Sequence, residues 1–148
     1  MKLKILKLLS VTSTNDEAIK LIKRNKSNPT LISANKQTKG RGTRGKKWIS
    51  QKGNLFVSIF FRIDKAKIKF NHFSILNPYI LGNILNIHLV EKISIKWPND
   101  LMIKKKKISG ILKELIEFKD KKYLIIGIGI NTLQSPSNTN FKSTSINK

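Results

Sequence analysis

The second half of this chain contains four strand-like segments in close succession, and this grouping most constrains its fold. They cover residues 93–97, 101–103, 107–117 and 123–129, and the last is almost entirely Ile, Leu and Gly. Runs of strands separated by only a few helices are typical of α+β domains. We therefore predict an α+β fold with a mostly antiparallel or mixed β-sheet flanked by helices, which we expect on one side of the sheet.

The first half contributes three more strands and two helices. Strand patterns cover residues 3–10, 30–34 and 54–62, and helical spacing of apolar residues covers 15–24 and 73–89. Thr14 and Glu17 fit a capping box for the first helix, and Ser13 is a second candidate cap. Pro78 is expected in the first turn of the second helix. The polar residues from 135 onward are predicted to be frayed.

The length of 148 residues is typical of one domain with one hydrophobic core. The sequence has no run of about 18 apolar residues, as a membrane-spanning helix would require, and its N-terminus does not resemble a signal peptide. A cytoplasmic protein is therefore expected. With no cysteine in the chain, disulfides, thiolate chemistry and cysteine zinc sites are excluded.

The formal net charge of +22 raises the question of a nucleic-acid partner. Lysine outnumbers arginine 26 to 4, however, and the cations are spread along the whole chain. Ile and Asn are also abundant, as AT-rich codons would produce. Most of the charge is therefore interpreted as compositional drift on a solvated surface, and nucleic-acid binding remains an alternative.

Two segments could form an anion site. The loop of residues 40–46 alternates glycines with cations, so its backbone N–H groups and charges could surround a phosphate. The segment of residues 96–101 (KWPNDL) adds the carboxylate of Asp100, and Lys107 follows. Taken alone, the first segment is better explained as an ordinary loop, and an Asx turn explains the second as well as a functional site does. The loop also fails the Walker and Rossmann patterns.

Residues 13–15 (Ser-Thr-Asn) are most simply a helix N-cap, although a helix N-terminus also suits an anion or a polar ligand head group. His72 and His88 have no other predicted metal ligands near them and are interpreted as structural.

Six motifs occur together in one order. They are STND (13–16), QTKGRGTRGKKW (37–48), GNLFVSI (53–59), KWPNDL (96–101), KISGIL (107–112) and GIGIN (127–131). In this order and spacing they resemble the catalytic domain of the biotin protein ligases, over nearly the whole chain. The sister lipoate ligases carry a different glycine signature and no KWPND. The resemblance implies the biotin/lipoate protein ligase fold, which is similar to the class II aminoacyl-tRNA synthetases.

The resemblance implies a two-step reaction in the cytoplasm. The carboxylate of biotin attacks the α-phosphate of ATP, with Mg²⁺, to give biotinyl-AMP and pyrophosphate. A lysine of the biotin carboxyl carrier protein of acetyl-CoA carboxylase then attacks the acyl-adenylate. The resemblance also raises a homodimer as an arrangement of the ligase.

Roles for site residues follow from the resemblance as well. Lys107, Arg41 and Asp100 would be catalytic, and Asp100 would also face Mg²⁺. Biotin would contact Ser13, Thr14, Asn15, Gln37, Arg41, Gly42, Lys107 and Gly110. ATP would contact Arg44, Lys46, Asn99, Asp100 and Asn131. Trp48 and Trp97 would pack in the wall of the pocket, and Phe141 stands near a position where the family has an aromatic that covers adenine.

Two departures from the family pattern are visible. Thr43 stands where the loop commonly repeats an arginine, which removes one cation expected to retain the adenylate. The sequence lacks the C-terminal helices and small β-barrel of the family, and it lacks the DNA-binding helix-turn-helix of its repressor members. The expectation is a C-terminally truncated catalytic domain over residues 1–148. A non-catalytic remnant that binds biotin, or nucleic acid through its basic surface, is the alternative.

Overall fold

The computed structural model describes residues 2–64, 68–137 and 141–147. These residues form one seven-stranded sheet and two α-helices. The elements, in chain order, are β1 (Lys4–Val11), α1 (Thr14–Lys23), β2 (Thr30–Gln37), β3 (Leu55–Arg62), α2 (Phe73–His88), β4 (Ile93–Lys96), β5 (Asp100–Ile103), β6 (Lys106–Phe118) and β7 (Lys121–Ile130).

The sheet is mixed, as predicted. Its strand order is β1-β2-β3-β7-β6-β5-β4; β1 and β2 are parallel, and every other neighbouring pair is antiparallel. The strand predictions are confirmed to within a few residues. The exception is β2, which continues to Gln37 through a segment predicted to be loop, because its pairing with β1 continues to Val11↔Gln37.

The helices cover opposite faces of the sheet, so the expectation that both lie on one side is wrong. Ala18 and Ile22 of α1 pack on Phe60, Tyr123 and Ile125. The other face carries a second cluster, built from apolar residues of β3, β6 and β7 and from Phe73 and Leu81 of α2 (Ile59, Phe61, Ile111, Leu124, Ile126). Because residues 123–126 are all buried and successive side chains point to opposite faces, β7 requires cover on both.

Helix α1 begins directly beside the sheet. Ser13 occupies the N-cap position with extended backbone, which confirms the second candidate cap, but its side chain makes no capping hydrogen bond. The predicted capping box of Thr14 and Glu17 is wrong. Thr14 is the first helical residue and its hydroxyl lies against Gln37 and Ser58, while Glu17 pairs with Lys20 at 2.7 Å.

Helix α2 is apolar around most of its circumference, and several of its side chains are exposed, among them Ile75, Tyr79 and Ile87. Pro78 lies in the second turn rather than the first, because the helix already begins at Phe73. In the described part of the chain, no helix has the length and hydropathy needed to cross a membrane.

Residues 141–147 return to the sheet, so the prediction that they are frayed is wrong. The backbone N–H of Lys107 donates to Lys142 O at 2.9 Å, and Thr144 N donates to Lys107 O at 3.0 Å. Ile146 N donates to Asn131 O at 2.9 Å. These backbone hydrogen bonds hold the segment beside the start of β6 and the end of β7.

Candidate active site

A cavity of about 540 Å³ opens on the α1 face of the sheet, at the N-terminus of that helix. This volume is ordinary for a small-molecule site. Its wall contains eleven of the thirteen residues proposed from the sequence motifs and leaves out Arg44 and Asp100. The eleven are Ser13, Thr14, Asn15, Gln37, Arg41, Gly42, Lys46, Asn99, Lys107, Gly110 and Asn131.

The floor of the cavity is a buried polar network. Ser13, Thr14 and Asn15 are each less than 5% exposed. The Thr14 backbone N–H and hydroxyl both donate to Gln37 Oε1, at 2.8 and 3.1 Å, and Gln37 Nε2 donates to Ser50 Oγ at 3.0 Å. Buried polar groups are usually hydrogen-bonded, and these bonds hold the polar groups of the floor in fixed positions.

Ser58 belongs to this network, although the sequence motifs did not assign it a role. It is fully buried on β3, with its Oγ 2.7 Å from Thr14 Oγ1 and 2.5 Å from Asn15 Oδ1. The signal was available in the sequence, because Ser58 lies between Phe56 and Phe60 at the inward positions of the strand. A hydroxyl among buried phenylalanines requires a polar partner.

Glycines give the floor and one wall their shape. A Cβ at Gly127 would overlap the side chain of Asn15, and a Cβ at Gly129 would overlap the indole of Trp48. A Cβ at Gly110 would lie 2.8 Å from Trp48. These three positions therefore accept no larger residue while Asn15 and Trp48 keep their places.

The glycine-rich loop folds back on itself across the mouth of the cavity. Gly42 N donates to Lys46 O at 2.7 Å, and Trp48 N donates to Gly40 O at 2.9 Å. Gly42, Thr43 and Lys46 line the cavity. Arg44, with a positive φ of 55°, is exposed and outside the wall, so its contact with ATP remains a prediction.

Arg41 is bound by two carboxylates that the sequence motifs did not assign to the site. Its two terminal nitrogens donate to Glu114 Oε1 and Oε2, both at 2.8 Å, and one of them lies 2.9 Å from Asp16 Oδ1. Burial disfavours the charged form of Arg41, but the hydrogen bonds and opposite charges of Glu114 and Asp16 favour it more strongly. The pKa of the guanidinium is therefore raised. No local signal links residues so distant in the sequence.

Lys107 lies in the cavity wall, as predicted. Its Nζ is 2.7 Å from Asp100 Oδ1, and it lies 5.5 Å from the ring of Trp48 and 5.3 Å from the ring of Phe141. On a regular strand, residues three positions apart point to opposite faces. The register between β5 and β6 shifts between Leu101 and Met102, and this irregularity lets Lys107 and Gly110 face the same cavity. The ammonium is therefore held between one carboxylate and two aromatic faces.

Asn99 and Asn131 lie in the cavity wall near Lys107. The Asn131 Nδ2 donates to Thr144 O at 3.2 Å, while its buried Oδ1 has no hydrogen-bond partner among the described residues. That oxygen can accept a hydrogen bond from a ligand. Asp100 lies behind the wall, paired with Lys107.

A metal site built wholly from protein groups is not found in the described part of the chain, where no three His, Asp or Glu side chains cluster.

Trp48 packs in the wall as predicted. The same prediction is wrong for Trp97, which is 73% exposed, because its neighbour β4 is the edge strand of the sheet.

Comparisons with known proteins agree with this geometry. Residues 7–131 match the model of the biotin/lipoate A/B protein ligase family. The bifunctional ligase/repressor BirA of Escherichia coli is 36% identical over 123 residues, which are 82% of this chain and 38% of that protein. The chain thus spans less than half the length of this relative.

Two solved structures share the fold. The biotin protein ligase of Leishmania major, in complex with biotinyl-5-AMP, has a TM-score of 0.78 and 34% identity, over 97% of this chain and 63% of that one. The biotin protein ligase of Aquifex aeolicus, in complex with biotin and ATP, has a TM-score of 0.79 and 33% identity, over 96% and 59%. With this fold, cavity and sequence match, the chain belongs to the biotin/lipoate A/B protein ligase family.

Proposed function

We propose that this chain carries the catalytic site of an ATP-dependent biotin protein ligase. It would join biotin and ATP to give biotinyl-AMP and pyrophosphate, and a carrier lysine would then displace AMP. The observation that carries the proposal is that one cavity brings the buried Ser13-Thr14-Asn15 floor together with Lys107. The Leishmania and Aquifex relatives, which hold biotinyl-5-AMP or biotin with ATP, support the same ligands here.

The floor suits the uncharged polar head of biotin. A ureido group has N–H donors and a carbonyl acceptor, and the floor presents hydroxyl, amide and backbone groups without a net charge of their own. A site that hydrogen-bonds such a head group discriminates strongly against analogues that lack it, since its buried polar atoms would be left unpaired.

Lys107 suits the reacting end. Adenylation brings together a carboxylate and a phosphate, which repel each other, and a fixed ammonium at that point stabilises the charge of the transition state. Lys107 is about four-fifths buried and oriented by Asp100, Trp48 and Phe141, so little reorganisation is needed when the anions arrive. No covalent enzyme intermediate is required.

The nucleotide would extend toward Asn131 and Asn99. The unpartnered Oδ1 of Asn131 suits a ribose hydroxyl or another donor of ATP. Mg²⁺ in nucleotide sites is commonly held by one or two carboxylates, with phosphates and waters completing its shell. We assign that carboxylate to Asp100 from the family motif alone, because its side chain lies outside the cavity wall and is paired with Lys107. The ion would neutralise phosphate charge during adenylation.

The carrier substrate proposed from the family is the biotin carboxyl carrier protein of acetyl-CoA carboxylase. The test measures biotin-dependent exchange of pyrophosphate into ATP, followed by transfer to a carrier domain that is detected with streptavidin. Exchange and transfer by the wild-type chain, with neither by Lys107→Ala, would support the proposal. Biotin binding without exchange would instead identify a binding remnant.

A further inference from the structure

We propose that Glu114 is a positioning residue that joins the glycine-rich loop to the cavity floor, and that Arg41 fastens this loop instead of neutralising the adenylate. The inference rests on the proposed function only for the identity of the ligand. The contacts that carry it are all between residues of this chain.

The pairing of Glu114 with Arg41 is bidentate. Each terminal nitrogen of the guanidinium donates to a different oxygen of the carboxylate, at 2.8 Å in both cases. This parallel arrangement fixes orientation as well as distance, which a single ion-pair contact does not. Because Glu114 lies on the long strand β6, where it is paired with Ile125 of β7, it anchors the loop to the sheet.

The charges around Arg41 argue against a phosphate as its partner. One guanidinium faces two carboxylates, those of Glu114 and Asp16, so the group as a whole carries a charge of about −1. An incoming phosphate would have to displace these carboxylates and would be repelled by them. Lys107 and Lys46 line the same cavity, and these cations are the better source of positive charge for the adenylate.

Glu114 also orients Asn15. The Asn15 Nδ2 donates to Glu114 Oε2 at 2.7 Å, and Asn15 Oδ1 lies 2.5 Å from Ser58 Oγ. A carboxylate only accepts hydrogen bonds, so the amide nitrogen must face Glu114 and the amide oxygen must face Ser58. One side chain thus sets the amide in the floor and the guanidinium in the loop above it.

The first experiment measures amide hydrogen exchange of residues 39–49 in the ligand-free protein. Glu114→Gln keeps the size of the side chain but removes its charge and one acceptor. Exchange at Gly42 and Trp48, whose N–H groups close the loop, should become about tenfold faster or more. Glu117→Gln on the same strand is the matched control, since Glu117 is exposed and pairs with Lys122 at 3.3 Å. Unchanged exchange in Glu114→Gln would overturn the proposal.

A second variant protects this test against misfolding. Arg41→Gln removes the same contact from the loop and leaves β6 intact, so it should raise exchange by a similar factor. The double variant should show no further increase, because the two residues act as one unit. Additive increases would contradict the proposal, since they would mean that each residue acts separately.

The second experiment separates binding from chemistry. Glu114→Gln and Arg41→Gln should each raise KM for biotin about tenfold or more and change kcat less, with no additivity in the double variant. If Arg41 instead neutralises the phosphate, Arg41→Gln should lower kcat. Glu114→Gln should then leave kcat unchanged, because it frees the guanidinium of Arg41 for the phosphate. That pattern would refute the proposal. A wild-type chain without ligase activity would refute the proposed function, while the exchange experiment would still decide the role of Glu114.

Discussion

The two faces of the sheet are covered by helices of different kinds. On the α1 face, one part of the interface is an apolar cluster around Ala18 and Ile22, and another part is the cavity with its polar floor. On the α2 face, most of the described contacts belong to apolar clusters built around residues such as Leu81, Leu85 and Leu124. The first face positions polar atoms, whereas the second face buries hydrocarbon.

This difference affects how strictly each face constrains its residues. Apolar packing tolerates exchange between side chains of similar volume, because dispersion contacts have no direction. Hydrogen bonds do have direction. The Asn15 side chain is bonded at both ends of its amide, so it cannot move away from a new neighbouring atom without breaking these bonds. Equal substitutions on the two faces should therefore have unequal and even opposite effects.

The largest effect is expected for Lys107, the cavity lysine of β6. Lys107→Ala should lower the rate of adenylation about 10²–10³-fold, because it removes a preorganised charge from a partly dehydrated site. Single-turnover formation of biotinyl-AMP measures this rate. The control is Lys104→Ala, since Lys104 is 72% exposed and pairs with Glu91. Equal losses in both variants would mean that the four consecutive lysines at 104–107 act only as diffuse charge.

The next largest effect is expected for Gly127 on the α1 face. The new Cβ of Gly127→Ala would overlap Asn15, whose amide is held by Ser58 and Glu114. Overpacking of this kind typically costs about 1–3 kcal/mol, so biotin affinity should fall about tenfold to hundredfold. Calorimetric titration with biotin checks it, and unaltered affinity would show that the floor adapts.

The same change on the α2 face should have the opposite sign. A Cβ at Gly82 would lie 3.7 Å from Ile93 and 3.8 Å from Leu101, which are ordinary van der Waals contacts. Gly82→Ala should stabilise the protein by about 0.5–1 kcal/mol, because alanine loses less entropy in a helix. Urea unfolding measures the change. Destabilisation by this variant would remove the contrast between the faces.

The smallest effect is expected for Lys113, the lysine of β6 that faces α2. Its Nζ donates to Phe70 O at 3.0 Å and lies 4.1 Å from the Phe70 ring, and burial lowers its pKa. At neutral pH the charged amine is slightly disfavoured in the folded state. Lys113→Met should therefore raise the free energy of unfolding, by about 0.5 kcal/mol at most.

The pH dependence of this small effect has a definite sign. Because the pKa of Lys113 is lower in the folded protein than in the unfolded chain, the wild type gains stability as pH rises between the two values. Any advantage of Lys113→Met at pH 7 should therefore shrink toward pH 10. Urea unfolding at both pH values measures it, and an advantage that grows with pH would contradict this assignment.

The hydrophobic patterns predicted most of the fold because they depend on nearest neighbours along the chain. Both helices and every strand but β2 were expected with nearly their observed bounds, and β2 was expected to end at residue 34. The side of the sheet on which each helix lies was not predictable from the same patterns. It depends on how the strands are ordered, and β7 lies in the centre of the sheet only through pairing with β3, a strand about 65 residues earlier.

The motifs predicted the residues that line the cavity but not those that hold them. Thr14, Gln37 and Lys107 were expected from the sequence, and all three line the cavity. Glu114 was not expected, although it lies just beyond a recognised motif, because its partner Arg41 is 73 residues away. The capping box at Thr14 failed for the same reason, since a long-range bond to Gln37 replaced the local one.

The docking of residues 141–147 has a consequence for synthesis of the protein. The backbone of Lys107 is paired with Lys142 and Thr144, and that of Asn131 is paired with Ile146. During translation, β1, β2 and β3 can pair while these partners are still inside the ribosome, but α1 and the polar floor also need Tyr123 and Ile125 of β7 and Glu114 of β6. The reacting end of the cavity is completed only after residues 141–147 emerge, so the site for chemistry forms late in synthesis.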